Sequence, residues 1–200
     1  MSKPILSYTT LSNLYVSPHS YLNKQLSLKP PETEAMLKGR DLHKIIQDHL
    51  LGVKKDDRLS SLDWNFQKAE VHVKKDMGEF LWHGYLDCCS YASKVFCEIK
   101  TGKNPWNQSR FSSSPQPAYY AYVSGLHKTL FITCDFELGQ LKTFYKEFSE
   151  EDLQKAKEWA EGAQRIIIEG RLKEDLTERD GKFYCENPAC PYKENCQWRT

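Results

Sequence analysis

The chain has 200 residues, 40% hydrophobic and 28% charged, a balance that excludes a disordered segment and suits one ordinary domain with a real core. Its formal net charge is +1, so bulk charge gives no argument for nucleic-acid binding, which would need a local basic patch. No run approaches the roughly 20 apolar residues that span a bilayer, and MSKPILSYTTLSNLY lacks the apolar core of a signal peptide, so a cytoplasmic location is expected.

The first stretch, TTLSNLYVSPHSYLNKQL, sets Leu11, Leu14, Tyr15, Tyr21 and Leu22 at spacings that suit a short helix interrupted near Pro18. SLKPPETE reads as a connection. From Glu34 to Leu51, Met36, Leu37, Leu42, Ile45, Ile46 and Leu50 recur with helical period, and Gly52 stands where the helix would end. The pattern then changes. WNFQKAEVHVKK alternates, with Ala69, Val71 and Val73 on one face and Glu70, His72 and Lys74 on the other, as a strand does. DMGEF reads as a turn. FLWHGYLDCCS and KVFCEIKTG read as two more strands joined around Ser90–Ser93, and the three together predict an antiparallel meander. TGKNPWNQSRFSSSP begins as a loop. A helix from Gln116 to about Leu126, a strand at TLFITCDF and another at LKTFYKEF follow. SEEDLQKAKEWAEGAQRIIIEG is the clearest helix, with Ser149 as N-cap and Asp152 as its reciprocal acid. The order predicts an α/β fold, a mixed central β-sheet flanked by helices. Residues 1–200 are expected to form a single domain, with an N-terminal helical segment over 1–30 and a Cys-containing C-terminal tail over 180–200 as appendages.

The chemistry concentrates in GYLDCCSYASKVFCEIK. Asp87 falls at the end of one predicted strand. Glu98 and Lys100 lie two apart on the next, so both side chains point to one face. A tight connection brings Asp87 beside Glu98, and two adjacent carboxylates repel unless a cation sits between them. Hard oxygen ligands suit Mg²⁺ or Mn²⁺, which polarise a phosphate and lower the pKa of a bound water. Lys100 then orients the attacking water or neutralises charge on the phosphate. Gly84 and Gly102 are expected to permit close backbone approach. An Asp followed by Glu-x-Lys also arises in solvated surface hairpins, so the flanking residues decide the matter.

GRDLHKIIQDHL, then Glu70, GYLD, EIKTGK and QPAYY, in that order, resemble the RecB-like branch of the PD-(D/E)XK nucleases. This branch includes nuclease domains of recombination helicases, CRISPR-adaptation exonucleases and many phage exonucleases. His43, Asp87, Glu98, Lys100, Gln116 and Tyr120 match its pattern in order. The resemblance implies a restriction-endonuclease-like core and a metal held by His43, Asp87, Glu98 and the Ile99 backbone carbonyl. Gln116 and Tyr120, one helical turn apart, would grip the DNA strand or support Lys100. Glu70 reads equally as a second carboxylate near the metal or as a solvated strand residue. The implied activity is an Mg²⁺- or Mn²⁺-dependent deoxyribonuclease, working as an exonuclease on linear or single-stranded DNA ends. Protein partners in a recombination or phage complex fit the same resemblance. The alternative is a non-catalytic nucleic-acid- or protein-binding module that keeps the fold; the intact Asp87, Glu98 and Lys100 set favours the enzyme.

Seven cysteines are present. Cys88, Cys89, Cys97 and Cys134 sit among apolar residues and read as buried free thiols. Cys185, Cys190 and Cys196 cluster in a polar tail. Many RecB-like nucleases hold an iron–sulfur cluster with three such cysteines and one near the N-terminus, but this chain has Ser17 where the fourth should stand. Three readings stay open: a structural zinc completed by His19, an iron–sulfur cluster with a non-cysteine fourth ligand, or a relic held by packing of Tyr184, Tyr192 and Trp198. Lys74, Lys75, Lys94, Lys103, Arg110 and Lys128 are candidate phosphate contacts, and Trp106, Phe111, Tyr119 and Tyr122 are candidate stacking residues; as a group they read equally as solvated charge and core aromatics, so no individual roles are assigned.

Overall fold

The computed structural model describes residues 3–16 and 32–168. They fall into two compact units, one within residues 1–5 and 33–157, the other within residues 6–32 and 158–200. The N-terminal and C-terminal segments that hold Ser17, His19, Cys185, Cys190 and Cys196 lie outside the described residues.

The larger unit is built on a twisted sheet. Strands β2 (Lys68–Met77), β3 (Phe80–Ser90) and β4 (Val95–Thr101) form the expected antiparallel meander. Strand β5 (Lys128–Cys134) then pairs parallel to β4, and β6 (Lys142–Glu147) returns antiparallel to β5. A short strand, β1 (Ile5–Ser7), comes first in the chain, and within the larger unit the strands run in the order β3-β4-β5-β6 with β2 paired to β3. The parallel step needs a crossover, and residues 102–127 supply it with two helices, α3 (Gln108–Ser113) and α4 (Gln116–Ser124). The short helix α3 replaces the loop expected there. Asn107 starts it by accepting the Arg110 N–H at 2.8 Å.

Helix α2 (Glu34–Leu50) is begun by Thr33, whose hydroxyl accepts the Met36 N–H. Its apolar stripe of Leu42, Ile46 and Leu50 packs into one core with Cys88, Cys97, Ile99, Leu130, Ile132 and Cys134 of the sheet. The four described cysteines are fully buried free thiols, as small apolar residues would be. Gly39 lets this helix approach β4: a Cβ there would sit 3.0 Å from the Thr101 hydroxyl, which donates to the Gly39 carbonyl.

Helix α5 (Glu150–Ile168) begins with a reciprocal capping box, in which the Asp152 N–H donates to Ser149 Oγ and the Ser149 N–H to Asp152 Oδ2. In the smaller unit, helix α1 (Tyr8–Val16) buries Leu11 and Leu14. Tyr8 and Tyr15 both lie against Trp159, with centroids 5.3 and 5.7 Å away, and Tyr15 donates its hydroxyl to the Trp159 carbonyl.

Candidate active site

The antiparallel ladder between β3 and β4 runs only through Ser90–Val95, Cys89–Phe96 and Cys88–Cys97. The next opposed positions, Asp87 and Glu98, fall where the two strands part. Asp87 therefore lies three residues inside β3 rather than at its end. Its Oδ2 accepts the Ile99 N–H at 2.5 Å, so a carboxylate takes the place of a ladder carbonyl and fixes the gap between the strands. Across β2 the ladder skips Glu70, which has a φ of +49° in the left-handed region. That conformation is uncommon for a residue with a Cβ and clusters at functional sites.

Helix α2 brings His43 to this gap. His43 Nε2 lies 3.5 Å from Asp87 Oδ1 and 3.9 Å from Glu70 Oε1. Ligand atoms of His43, Glu70 and Asp87 all fall within 4.8 Å of one another. One turn later on the same helix face, buried Gln47 donates to Glu70 Oε1 at 2.5 Å and to the Asp87 carbonyl at 3.0 Å. Gln47 is a positioning residue that the sequence reading passed over. Its signal was a polar side chain, four residues after His43, beside an apolar stripe. A cleft of about 790 Å³ opens over His43, Gln47, Glu70 and Asp87, with Arg40 and Lys44 along its wall.

Glu98 is almost wholly buried and is held differently. Its Oε1 accepts from Lys100 Nζ and, at 2.9 Å, from Gln116 Nε2 at the start of α4. Gln116 Nε2 also lies 3.4 Å from the Tyr120 hydroxyl. Gln116 and Tyr120 thus support Glu98. The Lys100 side chain remains 29% exposed beside a Glu98 side chain of 3%.

The electrostatics match a site short of positive charge. Burial pushes the Asp87 carboxyl up to about 7, against the lowering effects of the Ile99 N–H and Lys100. Burial likewise raises Glu98 to about 7, opposed by Lys100 and reinforced by Asp87. Burial lowers His43, which favours the neutral imidazole a metal needs. Two buried polar atoms of these residues have no hydrogen-bond partner, His43 Nε2 and Glu98 Oε2; Glu98 itself lies outside the close cluster of His43, Glu70 and Asp87. Buried polar atoms are rarely left so. One imidazole nitrogen and two carboxylates crowded within 4.8 Å of one another fit a divalent cation.

Phe111 and Tyr119 are core aromatics, 4% and 0% exposed, and offer no stacking surface. One sequence expectation is corrected nearby. Gly84 does permit a close approach, but a Cβ at Gly102 would meet nothing within 4 Å. At Gly84 a Cβ would fall 2.6 Å from the Tyr120 ring. Gly84→Ala is therefore expected to cost about 1–3 kcal/mol, since the ring must be displaced from a packed site. Thermal melts check this. In a Tyr120→Ala background the same change should cost almost nothing, and an undiminished cost there would refute the steric account.

The core is thus a meander continued by a helical crossover into a parallel strand, with Asp87 and Glu98 at the positions where the ladder parts. No protein-family model matches the sequence, and no curated protein sequence matches it. Solved structures do. The protein SSO0001 aligns over 100% of this chain and 89% of its own, with a TM-score of 0.62 and 14% identity. A protein of Eubacterium rectale carrying an exonuclease assignment aligns over 86% of this chain and 82% of its own, with a TM-score of 0.56 and 11% identity. LHK-Exo, an alkaline exonuclease of Laribacter hongkongensis, aligns over 89% of this chain and 94% of its own, with a TM-score of 0.52 and 12% identity. At such identities the likeness establishes the fold. No helix among the described residues is long and apolar enough to cross a membrane.

Proposed function

We propose that the protein is a metal-dependent nuclease that hydrolyses DNA phosphodiester bonds from strand ends. The observation that carries this reading is the convergence of His43, Glu70 and Asp87, with His43 Nε2 buried and without a hydrogen-bond partner. The fold is shared with exonucleases, and LHK-Exo has been solved with the deoxynucleotide dAMP. His43, Asp87, Glu98 and the Ile99 carbonyl would hold the cation, with Glu70 a further carboxylate ligand. A bound divalent cation supplies Lewis-acid polarisation of the phosphate and a more acidic water.

The chain's own residues do the rest. Gln47 fixes Glu70 and the Asp87 backbone, so the donor atoms need little reorganisation. Gln116 holds Glu98 in one rotamer and leaves its Oε2 available. Lys100, tethered through Glu98, presents an ammonium to the phosphate oxygens or to the attacking water.

The test is incubation with end-labelled linear DNA and covalently closed circular DNA, each with Mg²⁺, Mn²⁺ or EDTA. Linear DNA should be degraded with either metal and spared in EDTA, while the closed circle survives. Equal cutting of the circle would make the enzyme an endonuclease. DNA binding with no cleavage in either metal would support the non-catalytic module instead.

A further inference from the structure

Beyond the metal-binding cluster, the β2–β3 hairpin carries an exposed row of rings that the hydrolytic chemistry does not use. In the register of the hairpin, His72 stands opposite Tyr85, and Lys74 opposite His83. These are the next alternate positions after Glu70 and Asp87, and alternate residues of a strand share a face. The His72 and Tyr85 rings stack at 4.5 Å with 9° between their planes. His83 stands edge-on to both, 5.2 Å from His72 and 6.2 Å from Tyr85, and its Nδ1 lies 3.0 Å from His72 Nε2. The three rings hold one another in place, yet Tyr85 remains 50% exposed and His72 and Lys74 lie open to solvent.

We propose that this face is a track for a single-stranded stretch of nucleic acid leading to or from the hydrolytic centre, with bases stacked on Tyr85 and His72 and a phosphate held by Lys74. The proposal rests on the reading of His43, Glu70 and Asp87 as the place of hydrolysis. An antiparallel strand advances about 3.4 Å per residue, which puts Tyr85 about 7 Å and His83 about 14 Å along β3 from Asp87. A stacked polynucleotide strand advances about 3.4 Å per nucleotide, so the rings lie about two to four nucleotides from the scissile phosphate. Unpaired bases are the partner that fits. Every base offers a π face to a ring, whereas a duplex hides those faces in its own stack. A preassembled ring pair also loses little side-chain entropy on binding.

Fluorescence anisotropy of the metal-free protein in EDTA tests the track, with a labelled oligothymidylate and a labelled blunt duplex as probes. Tyr85→Ala should weaken oligothymidylate binding roughly tenfold and duplex binding less than about twofold. Tyr85→Trp, with a larger π face, should bind the single strand at least as tightly as the wild type, which a purely structural ring would not achieve. Lys74→Gln should reduce the salt dependence by about one phosphate contact. The track is overturned if Tyr85→Ala binds the strand unchanged, if strand and duplex weaken together, or if the wild type does not bind the strand. Cleavage in Mg²⁺, read separately on the wild type, keeps the two readings apart. Ring-dependent binding without cleavage refutes the nuclease and leaves the track. Cleavage with ring-independent binding refutes the track alone.

Discussion

Replacing Asp87 with asparagine is expected to reduce DNA cleavage by at least about a thousandfold while the protein stays folded. The substitution keeps an oxygen to accept the Ile99 N–H but removes the charge that faces His43. It should also stabilise the metal-free protein, and the pH dependence reveals why. Burial raises Asp87 and Glu98 to about 7 in the folded protein, whereas unfolded carboxyls titrate near about 4. Between these values the folded protein keeps protons that the unfolded chain has released. The associated stability is full below about pH 4, is lost as pH rises toward 7, and is absent above it. The metal-free wild type should therefore melt at a lower temperature at pH 8 than at pH 5.5. Asp87→Asn should flatten that slope and gain about 2 kcal/mol at pH 8. Added Mn²⁺ should raise the melting temperature of the wild type at pH 8 and leave that of the variant nearly unchanged. A variant that cleaves within tenfold of the wild type would remove Asp87 from the site.

The sequence revealed most where a local pattern and the tertiary structure agree. Helix α2 was legible because Leu42, Ile46 and Leu50 repeat with the helical period and do pack on the sheet. The meander was legible because alternation and turn residues set the limits of β3 and β4 almost to the residue, whereas β2 starts four residues after Trp64 and runs on to Met77. Helix α3 was hidden because QSRFSS carries one apolar residue, Phe111, and too few turns for a period to register. Asn107, three residues before Arg110, was the available sign of its start. In the site, Glu98 and Lys100 could share a face by strand parity alone. The parting of β3 from β4 could not be read, because no local preference makes Asp87 bind the Ile99 N–H instead of continuing a ladder. Gln47 was illegible for a related reason. Its two partners, Glu70 and Asp87, lie 23 and 40 residues away, and only the docking of α2 across the strands brings them together. The left-handed Glu70 has no sequence signature, since glutamate does not favour that conformation.

The second large effect is expected at Lys100. Lys100→Ala should lose about a hundredfold to a thousandfold in turnover while retaining metal binding at alkaline pH. The effect follows from what Lys100 does to Glu98. Its ammonium donates to Oε1 and is the strongest influence holding the Glu98 pKa down against burial. Without it, Glu98 keeps its proton to a higher pH, and a protonated carboxyl is a poor ligand. Metal affinity of the variant should therefore be weakened near pH 6.5 and recover by pH 8.5, as followed by Mn²⁺ titration. Turnover should not recover with it. The remaining Gln116 bond still orients Glu98 at pH 8.5, but no ammonium stands beside the phosphate to meet, with the metal, the charge that builds there. If Lys100 served only to keep Glu98 ionised, affinity and turnover would return together as pH rises, and its assignment to the phosphate or the attacking water would be wrong.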